Sequence, residues 1–235
     1  MQLLAFNDVS IFDVAPIYVT KVVPSNPEIK AVITEKTAAD GSIFVRKTYG
    51  PRTVTIFFYF QTDSKTLKSE YIEKLYAWAH STTLKELRIP ERPGKYINAY
   101  CSSLPDFSAV EQKRGMSIQF TCPDPYFYED GEMVAAIGTA FAIESVYGAG
   151  SARIEWTNPS TATSPAWVLD GATTITISGS VAAGTVVIQT NPIYATLADV
   201  SVMGQVTLAS RPFDLTCGAH SITGSGALIY RERWI

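Results

Sequence analysis

Two histidines, three cysteines and four tryptophans carry most of the chemistry open to this 235-residue chain. Cys101, Cys122 and Cys217 are widely spaced and form no CxxC pair, which argues against a disulfide framework and against a zinc site. They read as buried or partly buried free thiols. His80 closes a predicted helix, where an imidazolium suits the negative helix end. His220 lies in Cys217-Gly218-Ala219-His220, which reads as a turn; a Cys-His nucleophile needs a built cleft, and adjacency in a loop does not supply one. Asp and Glu are scattered, and nothing singles out the pair that glycoside hydrolysis requires. No GxGxxG opens a helix and no GxxxxGK[ST] loop is present, so Gly148-Ala149-Gly150 and Gly224-Ser225-Gly226 read as flexible turns. The chain reads as a non-enzyme without catalytic, metal or cofactor-binding residues. The remaining lead is aromatic. Trp156, Trp167, Tyr194 and Trp234 either fill a core or a domain contact, or stack against sugars, with Trp156 and Trp167 as the glycan-stacking candidates.

The elements that must position these residues divide at Cys122-Pro123-Asp124-Pro125-Tyr126-Phe127-Tyr128-Glu129. Up to Pro125 the chain holds 15 of its 19 Lys+Arg and 13 of its 22 Asp+Glu; beyond it come four Arg, no Lys and nine acids. Pro123 and Pro125 fix φ and push the residue before each towards extended backbone, so the segment is a stiff corner. Tyr126, Phe127 and Tyr128 should then be buried at a domain junction, between domains at 1–128 and 129–235. The net charge of −3 predicts no general affinity for nucleic acid. No stretch approaches the ~20 apolar residues of a membrane span, and the start of the chain lacks the basic and apolar regions of a signal peptide.

In the first half, Thr53–Phe60 is rich in β-branched and aromatic residues and follows a Gly50-Pro51 turn signal. Val32–Glu35 and Ser42–Val45 flank Ala39-Asp40-Gly41, a plausible β-hairpin whose arm carries Lys36, Arg46 and Lys47. Asp63-Ser64 offers an N-cap, and Leu67, Tyr71, Leu75 and Ala79 recur at i+4, widened by Ile72 and Trp78, with Lys68, Glu73 and Lys74 on other faces. That spacing predicts a helix over 64–80 covering one face of a sheet. Short strands follow at Glu86–Pro90, Tyr96–Cys101 and Gly115–Cys122. The second half is rich in Ser, Thr, Gly and Ala, with alternating runs at Ala152–Trp156, Thr174–Ile177, Thr185–Ile188, Val200–Val202 and Leu228–Tyr230 punctuated by glycine. This predicts a β-sandwich, and for the whole chain a mainly β (α+β) fold.

The order of these features resembles the siphovirus tail-component family, in particular the distal tail proteins of long, non-contractile-tailed phages. The most specific part is Phe120–Tyr128, an alternating strand ending in a Pro-aromatic corner. Thr53–Phe60, the helix and Arg92–Tyr100 are similar to the family's first domain in order. Asn158–Pro165, Asp214–Ile222 and Tyr230-Arg231-Glu232-Arg233-Trp234 resemble the opening loop, a late turn and the basic-aromatic finish of its second. The resemblance implies a structural protein of the virion tail tip, assembled in the host cytoplasm. It implies an N-terminal ring-forming domain and a C-terminal galectin-like sandwich. Its expected partners are further copies in a homohexameric ring, the tail tube protein and a tail-associated hub or fibre protein. DNA would pass through the lumen without tight binding, and no membrane insertion is implied. Asp40, Gly41, Arg46, Lys47 and Arg52 are the candidates for the inter-subunit contact. The second half has no large insertion between predicted strands, which weighs against receptor binding by an added module; a carbohydrate-binding module acting in host cell-surface recognition is the alternative.

Overall fold

A computed structural model describes residues 4–35, 40, 42–62, 64–105 and 115–235. The fold is mainly β, and the chain divides into two compact units, Met1–Phe127 together with Ile235, and Tyr128–Trp234.

The first unit is built on antiparallel strands in the order Ile17–Pro24, Arg52–Phe60, Met116–Cys122, Lys95–Ser103, Lys85–Arg88, Ala5–Phe6 and Val9–Ser10. Successive side chains of a strand alternate between faces, and here one face is apolar. Val54, Ile56 and Phe58 pair with Phe120, Ile118 and Met116, and all six are buried. The helix Lys65–Ala79 covers that face. Ser64 caps it, its Oγ accepting from the Leu67 N–H at 3.4 Å, and the His80 N–H closes it on the Tyr76 carbonyl. Phe6, Trp78 and Phe120 meet ring to ring with centroids 4.9 to 5.9 Å apart, and the Trp78 indole donates to the Val9 carbonyl at 2.9 Å.

The helix face differs from the expected stripe. Lys68, Ile72, Leu75 and Ala79 are buried while Leu67 is exposed. In the first turn the aliphatic stem of Lys68 lies inward, the amphipathic use long cations allow. One further turn of helix, Ile11–Val14, was not expected.

In the second unit one sheet runs Met133–Ala136, Ala227–Trp234, Ala149–Asn158, Gly184–Thr190, Ile193–Leu197 and Val200–Ser201. The other runs Ala140–Ile143, Gly218–Thr223, Ala166–Leu169 and Thr173–Thr176. Their inner faces share one core that includes Ile154, Val186, Ile188 and Leu228 from the first sheet and Trp167, Leu169, Ile175 and Ile222 from the second. This is a two-sheet sandwich. Two readings of the sequence need correction. Gly150 is a strand residue rather than part of a turn, and Gly218-Ala219-His220 opens a strand that pairs with Ala140–Ile143.

Candidate functional site

The hairpin of the first unit is longer than its sequence signal and is not part of the unit's main sheet. Ile29–Glu35 pairs with Ser42–Tyr49, and among the described residues the two strands pair only with each other. Cross-strand partners share a face. The register therefore places Ile29 with Tyr49, Ala31 with Lys47 and Ile33 with Phe44 on one side. Lys30 with Thr48, Val32 with Arg46 and Thr34 with Ile43 fall on the other. A bulge between Val32 and Ile33 leaves Val45 as the extra residue. The first face is apolar over most of its length, yet Ile29, Ile33, Phe44 and Val45 are each more than half exposed. An isolated two-stranded ribbon is marginal in water, and exposed apolar area of this kind marks an interaction surface.

The main sheet adds a second exposed surface. On the face opposite the helix, Tyr18 and Tyr59 stack at 5.1 Å, and both are exposed, as are Phe57 and Tyr100. Ile17–Pro24 is the edge of that sheet; among the described residues it pairs only with Arg52–Phe60. Arm, edge and aromatic face are features that assembly would cover.

The five contact candidates from the sequence fall in different places. Asp40 and Arg46 are exposed on the arm, and Lys47 sits 4.8 Å over the Tyr49 ring. Gly41 lies outside the described residues. Arg52 is a correction: it opens a core strand, is buried, and lies 5.1 Å from the centroid of Phe127. Its position opposite Cys122 and its 4% exposure place it in the first unit's interior rather than on the exposed arm. The residues the sequence reading missed are the arm's own apolar ones, although the Ile29-Ala31-Ile33 alternation was there to be read.

At the corner, Asp124 Oδ1 accepts from the Tyr126 N–H at 3.3 Å, a local turn that carries the chain from exposed Pro123 to buried Pro125. Tyr126 is half-buried against Tyr49. Phe127 is fully buried between the Arg52 and Arg92 guanidinium groups. Tyr128 is buried over Gly150, where an added Cβ would come within 2.7 Å of its ring.

The glycan platform is also corrected. Trp167 is fully buried, its indole donating to the Ser225 carbonyl at 2.7 Å, and half-buried Trp156 meets it edge to face. Trp167 therefore presents no free ring face, and Trp156 is packed against the core over part of its surface. His220 is buried with Nδ1 2.7 Å from Asp170 Oδ2 and Nε2 2.7 Å from the Thr216 carbonyl. Both neighbours accept, so both ring nitrogens donate and the imidazolium is the matched form. Desolvation, the largest single influence, opposes that charge, but Asp170 and Thr216 outweigh it and hold the pKa above its ordinary value. Cys217 is exposed, with Sγ facing the Glu144 carbonyl and not His220. Among the described residues no three His, Cys, Asp or Glu side chains gather as a metal site would require, and no helix is long and apolar enough to cross a membrane.

Comparison with known proteins places this geometry. The family model described as a phage tail protein RIFT-related domain matches residues 6–123. No curated protein matches in sequence. The crystal structure of the Dit (gp 19.1) protein of phage SPP1, described as a paradigm of the hub adsorption apparatus in phages infecting Gram-positive hosts, superposes with a TM-score of 0.78 at 14% identity, covering 99% of each chain. The activated, Ca-bound baseplate of phage P2 contains a chain with a TM-score of 0.50 at 8% identity, over 97% of this chain and 93% of that one.

Proposed function

Because the chain belongs to the family of phage tail proteins built on a RIFT-related domain, we propose that it is a structural hub of the tail tip, a distal tail protein that closes into a hexameric ring. The observation that carries this reading is the arm, an exposed apolar ribbon, together with a sheet edge that no second strand covers among the described residues. A partner of the same sequence would cover both. In this reading the arm of one subunit lies on its neighbour's first unit, with Asp40, Gly41, Arg46 and Lys47 at the rim of the contact, and the corner Pro123–Tyr128 separates a ring domain (1–128) from an outer domain (129–235). Repeating one heterologous contact around a closed ring leaves no edge unpaired.

The partners proposed on the two ring faces are the tail tube protein and a tail-associated hub or fibre protein. DNA would pass through the lumen, and the chain's modest net negative charge suits passage without counterion-releasing contacts. Mass measurement of the purified full chain tests the reading. A discrete species at six times the 25.6 kDa chain mass is expected. A strictly monomeric protein at high concentration, with no ring seen in isolated virions, would sink it. Long stacked tubes would point instead to a tube protein.

A further inference from the structure

We propose that the second unit carries a saccharide-binding cleft centred on Tyr194. The strand Ala149–Asn158 pairs with Gly184–Thr190 only from Arg153 onward, and its ladder with Ala227–Trp234 shifts register between Gly150 and Arg153. The start of this strand thus runs past its partner. Bulges recur beside binding sites because they interrupt pairing and re-aim side chains. Here a cleft of about 400 Å³ opens, within the range of small-ligand sites, and every residue lining it belongs to Tyr128–Trp234.

The lining has a specific chemistry. Tyr194 is 48% exposed, and it stands directly opposite Gln189 in the register, so ring and amide lie on one face as neighbours. Exposed Asn191 adds a second amide from the turn that joins their strands. Asp214 supplies a carboxylate. Arg233 supplies a guanidinium, fixed by donation from its Nε to the Tyr147 carbonyl at 2.6 Å. Tyr128 and Gly150 bring a further ring into the lining.

A sugar fits this set better than other small ligands. Its C–H face stacks on an exposed tyrosine, and its hydroxyls both donate and accept, matching amides and a carboxylate at once. One acid and one base cancel, so the cleft does not select a net-charged ligand such as a phosphate. Its amides and charges equally disfavour a purely apolar one. The site is separate from Trp156 and Trp167, whose rings are packed into the core. It does not rest on the hub reading, since a ring can form whether or not the cleft is filled.

The test is saturation-transfer NMR on the full chain with lactose, cellobiose, N-acetylglucosamine and methyl galactoside at millimolar concentration. Transfer to at least one sugar is expected, with affinity about tenfold weaker in Tyr194→Ala. Asn191→Ala should weaken it too, and Leu208→Ser, on an exposed residue that does not line the cleft, should leave it unchanged. Thermal unfolding establishes that each variant is folded; if Tyr194→Ala is not, Asn191→Ala alone decides. Absence of transfer from all four sugars, or transfer undiminished in the folded cleft variants, overturns the proposal. A normal ring without sugar transfer overturns this inference alone.

Discussion

Replacing Ile33 and Phe44 together by serine separates assembly from folding. The two residues face each other across the arm and are 63% and 61% exposed. Removing them therefore takes little from the isolated chain. Full burial of an Ile or Phe side chain contributes about 1.5–3 kcal/mol, and roughly three-fifths of each remains to be covered by a partner. Covering both would contribute about 2–4 kcal/mol to one subunit contact, a factor of roughly 30 to several hundred in its association constant. Sedimentation velocity across a concentration series should show the wild-type chain as a discrete oligomer and the double variant as monomer, with the thermal midpoint of the monomer shifted by no more than a degree or two. An unchanged oligomer would mean that the arm is a solvated projection and that the ring, if it forms, closes elsewhere. A collapse of the thermal midpoint would mean that the arm folds back on its own chain.

Three further outcomes follow from the two units. The raised pKa of His220 means that its stabilisation is complete below the ordinary value of 6.5 and fades as pH rises through the folded-state value, so the urea midpoint should decline from pH 6.5 upward. Asp170→Asn should flatten that slope and, by weakening the bonds to His220 and to the Ser221 N–H, cost about 1–2 kcal/mol at pH 6. Ala198 sits at φ 47 in the Ala198-Asp199 turn, a region that penalises a Cβ; Ala198→Gly should raise stability by about 0.5–1 kcal/mol in chemical denaturation, and a loss would refute the strain argument. Burial pushes the Cys122 thiol up to about 12, only partly countered by the Arg52 guanidinium, so an aromatic disulfide reagent at pH 8 should label exposed Cys217 and leave Cys122 intact until the protein is unfolded.

The helix was legible because its caps and its period agree: Ser64 and His80 mark its ends as their types and positions predict. Thr53–Phe60 was legible because β-branched and aromatic residues follow a Gly-Pro turn signal, and Met116–Cys122 because strict alternation has one physical meaning, a sheet buried on one face. Ile17–Pro24 escaped notice although Ile17-Tyr18-Val19-Thr20 is β-rich, since the prolines at positions 16 and 24 bracket it and suggest a loop. His220 read as a turn residue because Gly218 precedes it; the glycine in fact takes φ 128 at the first residue of a strand. Burial was the least legible property. Trp167 and Arg52 were weighed by residue type, yet one fills the sandwich core and the other is buried beside Phe127. A composition that suits the surface does not say which side of a pleat a residue occupies, and a register shift of one reverses it.

That same dependence on register links the arm to its proposed role. Among the described residues, Ile29, Ile33 and Phe44 gain little from lying on one face, because each stays about three-fifths exposed. An alternation that serves no internal core is costly in solubility and would be blunted by charge on an ordinary surface ribbon. Two of the arm's charges, Lys30 and Arg46, fall on the opposite face; of the two on the apolar side, Lys47 is drawn over Tyr49 and Glu35 stands at the end of its strand. The bulge at Val32 and Ile33 is what brings Phe44, rather than Val45, opposite Ile33 on the apolar side. Deleting Val45 would remove the bulge and leave Arg46 opposite Val32 and Phe44 opposite Ile33, each on the face it already holds. If the apolar face is the assembly surface, the oligomer should survive that deletion in sedimentation velocity; loss of the oligomer from a chain that is still folded would mean that the arm's length or its bend, and not the apolar face, carries the contact.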